Sequence, residues 1–323
     1  IDGLETIDHL TNERAYDLPA LPSRLAVLGA GPVGVELAQA FARLGSRVTL
    51  IEQAEHPLPQ EDPEIAERLR EVLEADGLTV RTGARVERVH RAGDATRLAG
   101  PGGLDVEADA VLIAVGRRPN VEDLDLEAAG VTYSSAGIEV DRRQRTANRR
   151  IYACGDVCGP YAFTHVAEHQ AGIVLANAVF RLPRKTDYSA TPWVVFTDPE
   201  LARVGLTEGQ ARARGLEPKV MRLELGGLDR ALTEAEERGL VKLVTHRDRL
   251  LGASLLAPRA GELVHEIVLG MRLGARARDI SAAIHAYPTY AQAHRRAVNE
   301  AYAERLFAPA TRRLVRWLNR LLP

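Results

Sequence analysis

The chain has 323 residues, 46% of them hydrophobic, enough to bury the cores of two or three domains. Its formal net charge of −2 leaves no electrostatic footprint for nucleic acid. Two cysteines suit a reducing, cytoplasmic compartment better than a disulfide scaffold, and no signal-like opening or membrane-length apolar run is present.

Residues 1–21 are polar and surface-like, as if they ended a preceding domain. The stretch "RLAVLGAGPVGVELAQAFARLGSRVTLIE" is the most readable. The apolar run Leu25–Leu28 predicts a strand, and Gly29, Ala30 and Gly31 predict a turn. Pro32 can open the following helix, where its missing N–H costs nothing. Val33 to Leu44 carries helical periodicity, Gly45 stops it, and Arg47–Ile51 predicts a second strand ending in Glu52. Asp62 and Pro63 predict the N-cap and first position of a helix reaching about Ala75. Residues 78–106 suit a small antiparallel meander, and "ADAVLIAVG" a buried strand.

This alternation predicts α/β architecture, with a doubly wound domain over residues 22–141. The span from Ile151 to Arg181 predicts a strand, a loop and a helix from about Thr164. After a polar linker, "WVVF", "KVMRLEL", "GLVKLVTH" and "LLGASLLA" predict strands. Three helical stretches close the chain, "GELVHEIVLGMRLGA", "YAQAHRRAVNEAYAERLF" and "TRRLVRWLNRLL", and so predict a separate α+β domain over 190–323.

Gly29, Gly31 and Gly34 form G-x-G-x-x-G between a strand and a helix. Such glycines permit a tight turn, close approach to a pyrophosphate and close helix–strand packing, while the helix N-terminus favours an anion. Glu52 stands where an acid accepts from adenosine ribose hydroxyls. Its charge opposes a 2′-phosphate and no nearby Arg offsets it, so NAD(H) is preferred over NADP(H). "HVAEH", His165 to His169, spells an inverted zinc-protease pattern, although no third ligand is evident and the expected metal set is none. Cys154 and Cys158 are a redox pair, metal ligands or bystanders. Their place after a strand, away from a helix N-terminus, disfavours a stabilised thiolate. Arg312, Arg313, Arg316 and Arg320 lie beside Leu314, Trp317, Leu318 and Leu321. A helix of this kind lies on an anionic membrane or, more commonly, packs its apolar stripe on its own protein.

Taken in order, "GAGPVGVELAQAFARLGSRVTLIE", "AVGRRPN", "ANRRIYACGDV", "FTHVAEHQAG", "FTDPELARVGLTE" and "HAYPTYAQA" resemble the flavin-dependent pyridine nucleotide–disulfide oxidoreductases. Within them the chain resembles the branch of mercuric reductase, dihydrolipoamide dehydrogenase and glutathione reductase. The resemblance implies a Rossmann-type NAD domain at 22–141, the returning part of an FAD domain at 142–189 and a dimerisation domain at 190–323. Residues 1–21 would then be a linker from the rest of the FAD domain. It places Gly29, Ala30, Gly31, Pro32, Val33 and Gly34 in the NAD loop, Glu52 on the ribose and Val86 beside the adenine. Gly116 and Arg117 belong to a loop closing over the cofactor. Asp156 accepts from the FAD ribitol, Thr164 meets the flavin, and the two cysteines become bystanders. Glu36 matches an acid that pairs with a lysine near the flavin.

The family's reactive C-x-x-x-x-C and the FAD adenosine loop belong to an N-terminal segment this sequence does not show, which implies a truncated piece without FAD of its own. A proton-shuttling His and its Glu partner are replaced by Tyr287 and Gln292; tyrosine, with a pKa near 10, is a poor base at neutral pH. The implied intact protein is a homodimer passing hydride from NADH to FAD and on to a cysteine pair. Its final acceptor is a disulfide, a metal ion as in mercuric reductase, or a quinone. The alternative is a non-catalytic NAD(H)-binding and dimerisation module, and a third reading is a hydrolase using His165 and His169.

Overall fold

The computed structural model describes residues 1–321, without the side chains of Arg305 and Leu321. Leu322 and Pro323, which fall in the C-terminal domain expected from sequence, lie outside the described residues. The chain forms two compact units, one of residues 1–115 with 194–323 and one of residues 116–193.

The first unit begins with β1 (Arg24–Leu28), α1 (Pro32–Arg43), β2 (Arg47–Ile51), α2 (Pro63–Ala75) and β3 (Thr79–Arg81). Then come β4 (Arg88–Ala92), β5 (Ala95–Gly100), β6 (Leu104–Ala108) and β7 (Ala110–Ile113). The parallel sheet has the order β3-β2-β1-β7, and β4-β5-β6 form the antiparallel meander. Val27 lies opposite Leu50 on one side and Leu112 on the other. Leu25, Ala26, Val27 and Leu28 are all buried, as a parallel strand covered on both faces requires. The Asp62 carboxylate accepts from Glu64 N and caps α2, with Pro63 in its first turn.

Residues 1–21 differ from their surface-like appearance. Asp2 exchanges backbone hydrogen bonds with Glu87 and Val89, and Leu10 with Val111 and Ile113. Ile7, Leu10 and Ala15 are buried. Apolar residues spaced too irregularly to show a period are here held by backbone pairing to strand edges.

The chain passes through β8 (Tyr133–Ser134), β9 (Gly137–Ile138) and α3 (Thr164–Ala178) of the second unit. That unit buries a small cluster around Leu126, Val131, Ile138, Ala153 and Cys158. The strand expected near Ile151 reduces to a single bridge between Tyr152 and Arg145.

β10 (Pro192–Val195) leads back into the first unit. β11 (Glu200–Gly205), α4 (Glu208–Ala213), β12 (Lys219–Glu224), α5 (Asp229–Glu234), β13 (Leu240–His246) and β14 (Arg249–Ala257) follow. The chain closes with α6 (Ala260–Leu273), α7 (Ala277–Ala282), α8 (Gln292–Leu306) and α9 (Pro309–Leu321). The sheet order is β10-β11-β14-β13-β12. Leu201, Leu240 and Leu256 of this sheet share one core with Leu25, Val27, Leu50 and Leu69.

Two buried cations fasten α2 to the C-terminal sheet. Lys242 on β13 donates to Asp62 Oδ1 at 2.7 Å and lies equally close to Glu64 Oε2, with Lys242 and Asp62 side chains each 3% exposed. Arg203 on β11 donates to the Gln60 carbonyl and pairs with Glu61 at 3.6 Å. Removing one partner of such a pair leaves the other charge buried and unmatched. Lys242→Ala should therefore cost about 3–5 kcal/mol in urea unfolding, and Lys242→Met with Asp62→Asn should recover more than half of that loss. A single-mutant loss below ~1 kcal/mol would show that the pair adds nothing to the joint.

Candidate functional site

The glycine turn is built by backbone crowding. A Cβ on Gly34 would run into the Gly29 carbonyl oxygen, and one on Gly29 would lie 2.5 Å from the Ala114 carbonyl oxygen. Gly29 also adopts φ 93°, a conformation that favours glycine. Gly31 differs: a Cβ there would meet nothing within 4 Å. Gly31 is the N-cap of α1 and offers no side-chain cap, so the first N–H groups of the helix, behind Pro32 and Val33, remain for an anion.

Glu52 closes this turn from the next strand. It is 7% exposed, and its two oxygens accept from Ala30 N at 2.8 Å and Ala54 N at 2.9 Å. The carboxylate keeps further lone pairs for a hydroxyl. Val86 is buried in one cluster with Leu28 and Ile51. The residues present thus fit a dinucleotide: open space at the one glycine no neighbour crowds, an uncapped helix end and a fixed acid.

In the second unit, Gly116 has φ 138°. Arg117 donates to the Ala162 carbonyl at 2.8 Å and pairs with Asp156 at 3.3 Å, so two residues assigned to different cofactors meet. Thr164 opens α3, whose N-cap Phe163 supplies no side-chain bond and stacks near-parallel on Trp193. Sequence reasoning missed Gln170. It is fully buried, its Oε1 accepts from Gly155 N at 2.6 Å and its Nε2 donates to Tyr188 Oη at 2.8 Å. It holds the Gly155–Asp156 turn against α3. Along the same helix runs a shallow depression of about 490 Å³ bordered by His165, Glu168, His169, Gly172 and Arg184. His165 Nε2 is engaged with the Pro192 carbonyl at 2.8 Å, and among the described residues no group of three or more acids, histidines or cysteines could hold a metal. Among the described residues of this unit the only sheet is the two-stranded antiparallel β8–β9.

Cys154 is exposed, Cys158 is buried, and both are free. Burial, with Cys154 and Asp156 nearby, pushes the Cys158 thiol up to about 11. That is the reverse of an activated thiolate.

In the remainder of the first unit, Glu36 on α1 accepts from Phe196 N at 2.7 Å. Burial raises its pKa against that hydrogen bond. Tyr287 is 69% exposed and donates to Asp229 Oδ2 at 2.9 Å, which raises its pKa. Gln292 begins α8. The histidines nearby are organised around Glu266 of α6. His285 Nε2 donates to Glu266 Oε1 at 3.0 Å and buried His294 Nδ1 to Oε2 at 2.7 Å. Burial opposes ionisation of Glu266, yet the hydrogen bonds and charge of the two histidines together hold its pKa below the usual value. No local pattern announces this triad.

A glycine turn between parallel strands, with an acid ending the second, defines a dinucleotide-binding fold. The family model "Pyridine nucleotide-disulphide oxidoreductase" matches residues 1–171, and the dimerisation domain of the same family matches 191–298; the chain belongs to this family. It is 39% identical over 305 residues to a mercuric reductase of Bacillus cereus, covering 92% of this chain and 48% of that protein. It is 41% identical over 280 residues to a dihydrolipoyl dehydrogenase of Thermus scotoductus, covering 84% and 60%. The Cu(II) complex of the HOCl-induced flavoprotein disulfide reductase RclA from Escherichia coli superposes with a TM-score of 0.86 at 32% identity, covering 93% of this chain and 69% of that one. The chain spans about half the length of the mercuric reductases it matches.

The Glu266 triad has a pH consequence. Because the folded-state pKa lies below the unfolded value of 4.5, its contribution is complete above pH 4.5 and is lost as pH falls through the lowered folded value. In urea unfolding at stepped pH, the stability gap between the native protein and Glu266→Gln should shrink as pH falls below 4.5. A gap unchanged through that window would remove the carboxylate from the account.

Proposed function

We propose that this chain is the NAD(H)-binding, partial FAD-binding and dimerisation part of a homodimeric, flavin-dependent NADH oxidoreductase. The remaining FAD contacts and a C-x-x-x-x-C pair come from a further segment of the same protein. The observation that carries this reading is Glu52, buried with its carboxylate accepting from Ala30 N in the turn that leads into α1, where Gly31 has no neighbour crowding its Cβ position. NADH held by the start of α1 and Glu52 would supply a hydride, and FAD would supply the two-electron link between it and the cysteine pair.

Each residue has a stated task. The first N–H groups of α1 take the pyrophosphate, with Gly31 giving the backbone room. Glu52 accepts from the adenosine ribose hydroxyls and repels a 2′-phosphate, which favours NAD(H) over NADP(H). Val86 lies beside the adenine, and Gly116 and Arg117 close over the nucleotide. Asp156 accepts from a ribitol hydroxyl, released from Arg117 to do so. The N-terminus of α3 at Thr164 places its positive end toward negative charge on the flavin ring. Glu36, raised by burial, accepts a lysine of the further segment.

Tyr287 and Gln292 narrow the acceptor. With its pKa raised by Asp229, Tyr287 neither takes nor returns a proton readily near neutrality. The acceptor is therefore one without a thiolate leaving group to protonate. A soft metal ion meets that condition, in line with the names of the mercuric reductases it resembles.

NADH fluorescence titration of this chain tests the nucleotide site. Gly31→Ala should fold normally, since its φ of −71° suits alanine, yet weaken NADH about tenfold or more. Unchanged affinity would move the pyrophosphate elsewhere. For the protein expressed from its complete reading frame, an anaerobic NADH titration should yield a flavin spectrum that develops a long-wavelength thiolate-to-flavin charge-transfer band, the two electrons residing on the cysteine pair and the flavin oxidised. A colourless protein that binds NADH would instead establish the non-catalytic module. In that complete protein, Tyr287→His with Gln292→Glu should raise lipoamide reduction about 100-fold, the usual scale of a restored general acid.

A further inference from the structure

α9 is the element that the nucleotide site and the dimerisation domain leave unexplained. The family match to that domain ends at residue 298, and α9 begins at Pro309. The sequence leads one to expect its apolar stripe to pack on its own protein. The structure leaves that stripe bare: Leu314 is 54% exposed, Val315 47%, Trp317 57% and Leu318 38%. These residues share one face at helical spacing, together with Ala310. Arg312, Arg313, Arg316 and Arg320 occupy the opposite face, and no acidic residue interrupts Pro309–Leu321. Leu306 and Phe307, just before the helix, are also exposed.

We propose that α9 is a peripheral membrane-binding helix that lies in the plane of an anionic lipid surface. An apolar side with a central tryptophan, a polar side carrying four arginines and an asparagine, and low overall hydropathy are the features of an interfacial helix rather than a spanning one. Among the described residues no helix is long and apolar enough to cross a membrane. Charge selects the occupant. A second copy of α9 offers a matching apolar stripe but no acidic partner for the four arginines. A bilayer rich in anionic headgroups offers acyl chains to the leucines and phosphates to the guanidinium groups at once. The chain's net charge is −2 even with these four arginines included, so the remaining residues are acidic on balance. The arginines set the approach and the apolar side sets the depth.

The test is co-sedimentation of the full chain with vesicles of phosphatidylcholine, with and without about 30 mol% phosphatidylglycerol. Binding to the anionic vesicles is expected, falling at least tenfold between about 50 and about 500 mM salt. Trp193→Phe leaves Trp317 as the sole tryptophan, and its emission should shift to the blue on binding. Trp317→Glu with Leu318→Glu should abolish binding. Replacing the four arginines by glutamine should abolish the preference for phosphatidylglycerol. Both variants should keep the NADH affinity of the native chain, which reports an intact nucleotide site. Absence of binding at low salt, or equal binding to pure phosphatidylcholine, overturns the proposal. So does sedimentation equilibrium showing that Trp317→Glu with Leu318→Glu converts a dimer to a monomer, since the stripe is then covered by a second copy.

Discussion

The contact on which the first unit depends is the approach of α1 to the end of β1, where Gly34 faces the Gly29 carbonyl with no room for a Cβ. Gly29 is in turn pressed against the Ala114 carbonyl that follows β7. Three elements therefore converge on backbone atoms alone, and the start of α1 is fixed relative to two strands. Everything further along α1 inherits that position. Glu36 receives Phe196 N, Gln39 exchanges hydrogen bonds with the backbone of Asp198, and Arg43 reaches its carboxylate. These residues recur on one helical face, so the glycine turn also sets where the C-terminal sheet begins.

Charge in the interior follows a related logic. The acids that meet Lys242 and Arg203 cluster around the first turn of α2, where the helix dipole favours negative charge. Asp62 thus does two jobs, capping α2 and receiving Lys242. A well-packed apolar pair could match this arrangement in stability. What the ion pair adds is a register mark, because sliding α2 along β13 by one turn leaves two charges buried without partners.

These facts divide what could be read in the sequence from what could not. Pro32, Asp62 and Pro63 act on the backbone within a few residues, and the helices begin where they indicate. Arg47–Ile51 is a strand with the expected bounds, because an apolar run between a glycine and an acid leaves little choice. β11 escaped notice because Arg203 interrupts its apolar run, and only Gln60 and Glu61, more than 140 positions away, explain a buried arginine there. Gln170 and Glu266 are the same problem at the candidate sites. A glutamine that holds a glycine turn and a glutamate between two histidines have meaning only through partners on other elements. The glycine turn and Glu52 were legible because strand, turn, helix and strand are consecutive. The exposure of α9 was not, since its periodicity is the same whether its apolar stripe is covered or bare.

The two cysteines bear on how the labour of the reaction is divided. Reduction of a disulfide, or of a metal ion held by thiols, needs a thiolate near neutral pH and, for a disulfide, an acid for the departing sulfur. Cys158 is held protonated by burial, and its sulfur lies 3.3 Å from the Gly155 carbonyl within the turn that Gln170 fixes. Lowering its pKa would require opening that turn, and with it the setting of Asp156. Tyr287, tied to Asp229, resists the complementary role of proton donor by holding its own proton more tightly. Neither the nucleophile nor the acid of thiol chemistry can therefore be drawn from these positions. What the glycine turn supplies instead is an uncapped helix end at Gly31 and a buried Glu52 carboxylate fixed by two backbone donors, features that act by position. On the proposed reading, the thiolate and the acid of sulfur chemistry come from groups other than Cys158 and Tyr287.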